Sequence, residues 1–369
     1  MVEEASFGAR VAAAADPARD ARGVWEDLGA AGLIRELFAR EPSAPADDAR
    51  RLDSLITALD SVLPTGTTMS VGVQVGATIP LLRSIAPNHP RVARILADIL
   101  GGRTMVCVAT TEPDVSGSDL LATRGTVRRT DDGIVLAGTK SWVSNGLHAD
   151  YAMVLLHDLP GRGLLGMSWV LVPLDASGVV RTPSTTEWFA GGGLADIRLD
   201  GVALAEDHLM SPRGRALSQM ALASSNERLM MTFWARSLSR RALRGARDHL
   251  RGRASAGGVL WDNPVVRARF AALMAQWRGL DAMCAGERRA PTGPRERMAL
   301  KASSARAVTS IVAGCVDLVG GEAFRDGGMG RLAAEVGMFN LLGGATGALE
   351  ALLASHEAQL LKGADNDPM

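Results

Sequence analysis

Cysteine and histidine are few in this sequence, and neither stands in a pattern that binds a metal or forms disulfides. The 369 residues include three cysteines and six histidines. Cys107, Cys284 and Cys315 lie far apart and outside any C-x-x-C pair, so we expect buried free thiols. The histidines form no HExxH or HxxxH pair, and no metal site is expected. A GxSxG turn is also missing, which excludes the nucleophile elbow of serine hydrolases.

Net charge, long apolar runs and aromatic side chains are equally scarce. The 40 basic residues balance the 40 acidic ones, so the chain offers no broad surface for nucleic acid or an anionic membrane. No apolar run reaches the ~18–20 residues of a membrane span, and the first residues carry acids where a signal peptide carries bases. We therefore predict a cytoplasmic protein that binds neither nucleic acid nor membrane. With 4% aromatic residues, its core is expected to consist of small and aliphatic side chains.

The apolar pattern predicts an N-terminal helical domain over 1–102, a central β-domain over 103–212 and a C-terminal helical domain over 213–369. In the second segment, Asp131-Asp132-Gly133 and Asn145-Gly146 are hairpin-type turn signals. In the third segment, Asn226 is predicted to be the N-cap of a long helix that ends near Arg251. Helices, then strands, then helices indicate an α+β fold. We interpret the arginines that recur on the long helix as a solvated face rather than a docking patch: Arg236, Arg240, Arg241, Arg244 and Arg247.

Two motifs in the central segment carry most of the functional information. Residues 111–119 (TEPDVSGSD) form a loop of small residues, which lets a flat ring or a phosphate approach the backbone. Taken alone, this loop is equally consistent with an ordinary turn. Residues 138–146 (GTKSWVSNG) follow it, and the pair resembles the central β-domain of the acyl-CoA dehydrogenase family. The segments WEDLGAAGL, VALAEDHLM, VGGEAF and MGRL extend the resemblance over nearly the whole chain.

The resemblance implies N-terminal helices, a β-domain and a C-terminal four-helix bundle, together with bound FAD. By motif, Thr111 would contact the flavin ring, and Trp142 and Ser144 would cover and hydrogen-bond the isoalloxazine. A lone tryptophan in a strand is otherwise expected in the core. Ser118 would contact either the flavin phosphates or the carbonyl and pantetheine of the substrate. Arg253, which Gly257 follows, would reach across a dimer to the FAD pyrophosphate. Gly320 and Gly321 would lie beside the adenosine half of FAD.

The general base is the decisive residue. Most family members place a glutamate in the loop before the last helix, but that position here is Gly343, in the sequence LLGGAT. The isovaleryl-CoA and long-chain branch carries the base on the first long helix of the C-terminal domain, directly before an arginine, and this sequence has Glu227-Arg228 there. The resemblance therefore implies Glu227 as catalytic base, with Arg228, Gly343 and Gly344 beside the substrate. The alternative is that Glu227 is an ordinary acid in the first turn of a helix.

Several departures from the family pattern bear on FAD binding. Ala345, Gly347 and Pro264 stand where polar side chains are expected, and Asp317 replaces a glutamine near the adenine. The resemblance implies α,β-dehydrogenation of an acyl thioester on CoA or acyl carrier protein, with an electron acceptor such as an electron-transfer flavoprotein, in a homodimer or homotetramer. Two alternatives stay open: a flavin monooxygenase on the same fold, and a degenerate subunit that completes the FAD site of a related partner.

Overall fold

The computed structural model describes residues 6–39, 45–115, 119–159, 161–210, 214–256 and 258–357. The described residues divide into two compact units. The first unit takes its residues from Met1–Arg40 and Val62–Glu227, and the second unit from Glu41–Ser61 and Arg228–Met369. N-terminal helices, a central mixed sheet and a C-terminal helical region follow one another along the chain, as predicted. The bounds of the three predicted domains stay a proposal.

Short helices begin the first unit, and their ends follow local capping chemistry. The Ser6 Oγ accepts a hydrogen bond from the Ala9 N–H at 3.3 Å, and Asp20 caps the next helix through the Gly23 N–H at 2.7 Å. Gly32, with a φ of 73°, separates the second and third helices. The helices that precede the sheet are α1 (Phe7–Ala14), α2 (Ala21–Ala30), α3 (Leu33–Phe38), α4 (Pro45–Val62), α5 (Thr65–Val73), α6 (Ile79–Ile85) and α7 (Pro90–Leu100).

The almost uncharged run after Pro64 is a buried helix, as predicted, but it contains a π-helical turn at Gln74–Thr78. Gln74 and Thr78 are fully buried, and both donate to the carbonyl oxygen of Val106, at 2.7 and 3.2 Å. These bonds fasten the helix to the first strand of the sheet. A π-turn widens the helix locally, and such turns are frequent near functional sites.

The sheet contains seven strands in the order β1-β4-β2-β3-β7-β6, with β5 paired to β4. Its strands are β1 (Val106–Ala109), β2 (Thr126–Thr130), β3 (Gly133–Val143), β4 (Tyr151–His157), β5 (Met167–Pro173), β6 (Val179–Pro183) and β7 (Ala195–Leu204). The hairpin predicted at Asp131-Asp132-Gly133 joins β2 to β3. The hairpin predicted at Asn145-Gly146 is wrong, because β4 pairs in parallel with β1 and antiparallel with β5 instead.

The turn at Asn145 directs the chain away from β3. Asn145 is buried, has a φ of 67°, and exchanges hydrogen bonds with Ser70: its Nδ2 donates to the Ser70 carbonyl at 3.0 Å, and its Oδ1 accepts from the Ser70 hydroxyl. The asparagine therefore anchors the end of β3 to the buried helix rather than closing a hairpin.

Long helices form the second unit. The first of them begins in the first unit and runs over Ala216–Gly252, so Asn226 lies in its interior and the predicted N-cap is wrong. The Asn226 Nδ2 donates to the carbonyl of Leu222 one turn earlier at 3.4 Å, which accommodates asparagine within a helix. The remaining elements are α8 (Ala216–Gly252), β8 (Ala254–Ser255), β9 (Gly258–Val259), α9 (Pro264–Arg289), α10 (Pro294–Val319), α11 (Met329–Gly337) and α12 (Thr346–Ala354).

Buried ion pairs attach α4 to the C-terminal helices of the second unit. Asp53 accepts from Arg236 at 2.7 Å and from Arg288. Asp60 accepts from the Trp234 indole at 3.2 Å and the Ser237 hydroxyl at 2.8 Å. The side chain of Arg236 is only 12% exposed, so the predicted solvated arginine face is wrong at this position.

Two helical stretches of the described chain are unusually long and apolar. The stretches Thr65–Asn88 and Pro294–Phe324 are long and apolar enough to cross a membrane by length and composition, although the sequence predicted none. The first is mostly buried, and core helices of soluble proteins have the same properties.

The three cysteines are buried and free, and burial raises the pKa of each thiol to about 12. Among the described residues, no group of three or more potential metal ligands occurs.

Candidate functional site

A β-bulge in the first unit presents Trp142 to solvent. Lys140 pairs with Ile197 and Val143 with Ala195, so Ser141 and Trp142 together lie opposite the single residue Asp196. Trp142 has a φ of 59°, a conformation unfavourable for a bulky side chain, and the residue is 54% exposed. The alternative interpretation of Trp142 as a core residue is therefore wrong, and its flavin role stays a prediction.

Trp142 borders a cavity of about 470 Å³ in the first unit. Within the described ranges, the residues that line it are Thr111, Glu112, Pro113, Asp114, Val115, Ser141, Trp142, Ser184, Thr185 and Asp196. The cavity thus joins two of the predicted cofactor residues, Thr111 and Trp142. The buried Ser184 Oγ has no hydrogen-bond partner within the described part of the chain. A buried hydroxyl without a partner is costly, and a polar atom of a ligand would satisfy it.

The other predicted residues of the first unit lie differently. Ser144 directly follows β3 and is half-buried, but among the described residues it is not part of the cavity lining. Ser118 lies outside the described residues, as do Ser116, Gly117 and, in the second unit, Gly257. Their assignments stay predictions.

A buried ion pair at the cavity, between Lys140 and the lining residue Glu112, was not predicted from the sequence. The Lys140 Nζ donates to Glu112 Oε1 at 2.7 Å, and the two side chains are 1% and 6% exposed. Glu112 also accepts from the N–H groups of Arg124, at 2.7 Å, and Gly125, at 3.0 Å. Burial alone would raise the pKa of Glu112, but Lys140 and the two N–H groups outweigh it and hold that pKa below its ordinary value. Glu112 belongs to the first motif and Lys140 to the second, so the ion pair links the two motifs.

In the second unit, the structure brings together three predicted substrate residues. The Arg228 Nε donates to the carbonyl of Gly343 at 3.2 Å, and Gly344 follows in the same loop. The fully buried Lys301 donates to the Gly344 carbonyl at 2.5 Å and to the Thr346 hydroxyl at 3.4 Å. Lys301 was missed because nothing in the sequence of its helix distinguishes it from a surface lysine.

Glu227 is half-buried and lies well inside α8, which begins at Ala216. The interpretation of Glu227 as an acid in the first turn of a helix is therefore wrong. The position in the helix excludes a first-turn acid but does not show what Glu227 contacts in a substrate. Its role as a base therefore stays a prediction.

The residues predicted to contact the adenosine half and the pyrophosphate also lie in the second unit. Arg253 is exposed just after α8. Gly320 ends α10 with a φ of 71°, and a Cβ added at Gly320 or Gly321 would meet no atom within 4 Å. Asp317 is exposed and pairs with Arg269 at 3.7 Å. The cofactor roles of Arg253, Gly320 and Gly321 stay predictions.

Comparison with known sequences identifies two domains in this chain. Residues 107–202 match the acyl-CoA dehydrogenase middle domain, and residues 213–357 match the acyl-CoA dehydrogenase C-terminal domain. The acyl-CoA dehydrogenase apdG of Emericella nidulans is 30% identical over 254 residues, which cover 65% of this chain and 57% of that protein. The chain thus spans little more than half the length of this relative.

Solved structures share the fold at lower sequence identity. Glutaryl-CoA dehydrogenase from Mycobacterium smegmatis superposes with a TM-score of 0.83 at 18% identity, covering 95% of this chain and 93% of that one. The prolyl acyl carrier protein oxidase AnaB superposes with a TM-score of 0.80 at 15% identity, covering 95% and 97%. Identities this low establish the fold and leave the substrate open.

Proposed function

The chain belongs to the acyl-CoA dehydrogenase family, and from this premise we propose that it is an FAD-dependent oxidoreductase that forms a double bond between the α and β carbons of an acyl thioester. The observation that carries the proposal is the exposed Trp142 indole, held on a bulge beside a cavity within the matched middle domain.

The residues around the cavity fit the ring of FAD. An exposed indole offers a flat apolar surface against which an isoalloxazine can pack. Thr111 supplies a hydroxyl at the same cavity, and the unpartnered Ser184 Oγ supplies another. When bound, FAD would supply the acceptor for the hydride that leaves the β carbon. The proposed roles of Ser144, Ser118, Arg253, Gly320 and Gly321 complete the cofactor set carried over from the family motifs.

We propose that Glu227 removes the α-proton of the thioester. A general base must come within about 3 Å of the proton it takes. The usual loop position is Gly343, which has no side chain to accept a proton. Glu227 is the acid that directly precedes Arg228, and Arg228 is bonded to the Gly343 carbonyl. We infer that Arg228 holds the glycine loop in place while Glu227 performs the acid–base chemistry.

The substrate is proposed to be a branched or bulky acyl group on CoA or an acyl carrier protein. Gly343 has no side chain where a glutamate is usual, whereas a Cβ at Gly344 would lie 3.3 Å from Leu349 Cδ2. The carbonyls of the two glycines accept hydrogen bonds from Arg228 and Lys301. The similarity to proteins named acyl-CoA dehydrogenase and prolyl acyl carrier protein oxidase supports both carriers. We further propose a cytoplasmic homodimer or homotetramer and an electron-transfer flavoprotein as acceptor.

An absorbance spectrum followed by anaerobic titration tests this function. The purified protein should be yellow, and short, branched or long acyl thioesters, on CoA or on acyl carrier protein, should bleach the flavin band. A protein that retains its flavin but is bleached by none of these thioesters would contradict the dehydrogenase proposal. Colourless protein that gains flavin only when co-expressed with a homologous chain would instead identify a degenerate subunit.

A flavin monooxygenase is the second candidate, because Gly343 vacates the usual base position and oxygenation requires no α-proton base. Chemically reduced enzyme mixed with oxygen and a non-thioester substrate would then yield a hydroxylated product. Thioester bleaching under anaerobic conditions, without such a product, excludes it.

A further inference from the structure

The backbone of the bulge requires an explanation beyond the pairing of β3 with β7. Trp142 has a left-handed backbone conformation, which bulky residues adopt only where the surroundings hold them. Two hydrogen bonds supply that support. The Ser141 N–H donates to the Thr111 carbonyl at 2.9 Å, and the Trp142 N–H donates to Asp196 Oδ1 at 3.2 Å. The N–H of Trp142 is therefore satisfied by a side chain rather than by the backbone of β7.

The position of Asp196 in β7 directs its carboxylate toward the bulge and the Trp142 N–H. Its neighbours Ala195 and Ile197 are fully buried, and side chains alternate along a strand, so Asp196 faces the opposite side. That side is the cavity, which Asp196 lines together with Ser141 and Trp142. Within the described part of the chain, Asp196 takes part in no ion pair, so charge neutralisation by a basic residue does not account for it.

We propose that Asp196 is a positioning residue that holds Trp142 in its left-handed conformation at the cavity. The carboxylate acts through the tryptophan and needs no contact with substrate. The consequence for cofactor binding rests on the proposed function, since it assumes that Trp142 packs on the flavin. The conformational claim concerns the chain alone and is testable without flavin.

Fluorine NMR of the flavin-free protein tests the conformational claim. The protein is labelled with 5-fluorotryptophan, and the Trp142 resonance is assigned as the one lost in Trp142→Phe. Asp196→Ala should shift or broaden this resonance because the acceptor is lost. Asp196→Asn, which retains Oδ1, should preserve it. Asp200→Ala is the control, because Asp200 lies on the same strand with a 69% exposed side chain.

Flavin titration then measures the consequence. Asp196→Ala should raise the dissociation constant for FAD by roughly tenfold, the factor expected for loss of a hydrogen bond to a charged acceptor. Asp196→Asn should restore most of the affinity, and Asp200→Ala should leave it unchanged.

Each outcome decides the proposal. An unshifted Trp142 resonance in Asp196→Ala overturns it, and so does an Asp196→Asn protein as perturbed as Asp196→Ala. Should Asp196→Ala fail to fold, Asp196→Val removes the acceptor with a side chain suited to a strand and makes the same comparison. If wild-type protein is bleached by no thioester, the proposed function fails, while the NMR comparison still decides the role of Asp196.

Discussion

Replacing Lys140 with methionine is predicted to destabilise the first unit strongly. Lys140 is almost completely buried, and Glu112 is its charged partner at 2.7 Å. Methionine fills a similar volume but leaves the Glu112 carboxylate buried without its cation. Removing one partner of a buried ion pair costs about 3–5 kcal/mol. The two N–H groups that still donate to Glu112 favour the lower end of that range.

The same variant should change the pH dependence of stability. The pKa of Glu112 in the folded protein lies below its ordinary value of 4.5, so its stabilising contribution is present above that value and is lost as the pH falls through the folded pKa. Without Lys140, the folded pKa of Glu112 rises. The destabilisation caused by Lys140→Met is therefore expected to be largest near neutral pH and to shrink as the pH falls, because protonation of Glu112 also removes the ion pair from the wild type.

Urea unfolding followed by circular dichroism measures the effect, and a double-mutant cycle isolates the pair. Glu112→Gln with Lys140→Met should be less destabilising than the sum of the single changes, because neither charge is then left buried alone. Asp200→Asn, which alters an exposed pair, should change the unfolding free energy by less than about 0.5 kcal/mol. A Lys140→Met protein as stable as the wild type, or strictly additive single effects, would refute the reasoning.

Further substitutions test the second unit in the same unfolding assay. Gly343→Ala should destabilise by about 1 kcal/mol because Gly343 has a φ of 66°. Gly347 lies in α12, where an added Cβ would meet no atom within 4 Å, so Gly347→Ala should be neutral or slightly stabilising. Equal changes in unfolding free energy for Gly343→Ala and Gly347→Ala would contradict this prediction. Asp53→Asn should cost about 3 kcal/mol, the lower end of the range for breaking a buried ion pair, because Arg288 loses the Asp53 carboxylate while Arg236 keeps Asp281 at 3.3 Å. Asp248→Asn is the control, because the Asp248 side chain is 66% exposed. Equal losses of unfolding free energy in Asp53→Asn and Asp248→Asn would contradict the prediction that the buried ion pair is the more stabilising one.

The sequence predicted the order of elements because their periodicities are strong. The buried uncharged helix, the strands and the helical C-terminal region all follow local apolar patterns. The start of α8 was missed because Asn226 matches an N-cap signal, yet a hydrogen bond to Leu222 accommodates it within the helix. Local pattern alone could not show that the helix begins earlier.

Long-range pairing was beyond sequence reasoning. The association of α4 with the C-terminal helices depends on Asp53 and Asp60, whose partners lie far along the chain. The motifs located Thr111 and Trp142, but not the bulge that exposes the indole or the opposing Asp196, since both depend on the register of β3 against β7. Lys301 became visible only through its contacts with the glycine loop.

The central claim, that Glu227 takes the α-proton, is tested most directly by proton exchange. A 3-thia acyl thioester deuterated at the α carbon can lose its α-proton but has no β-hydride to transfer, so exchange into water reports the base alone. Flavin-loaded wild-type protein should wash out the deuterium, as followed by mass spectrometry. Glu227→Gln should slow the washout by about 10²–10⁴-fold while the flavin spectrum stays that of the wild type. Washout at the wild-type rate in Glu227→Gln would contradict the account.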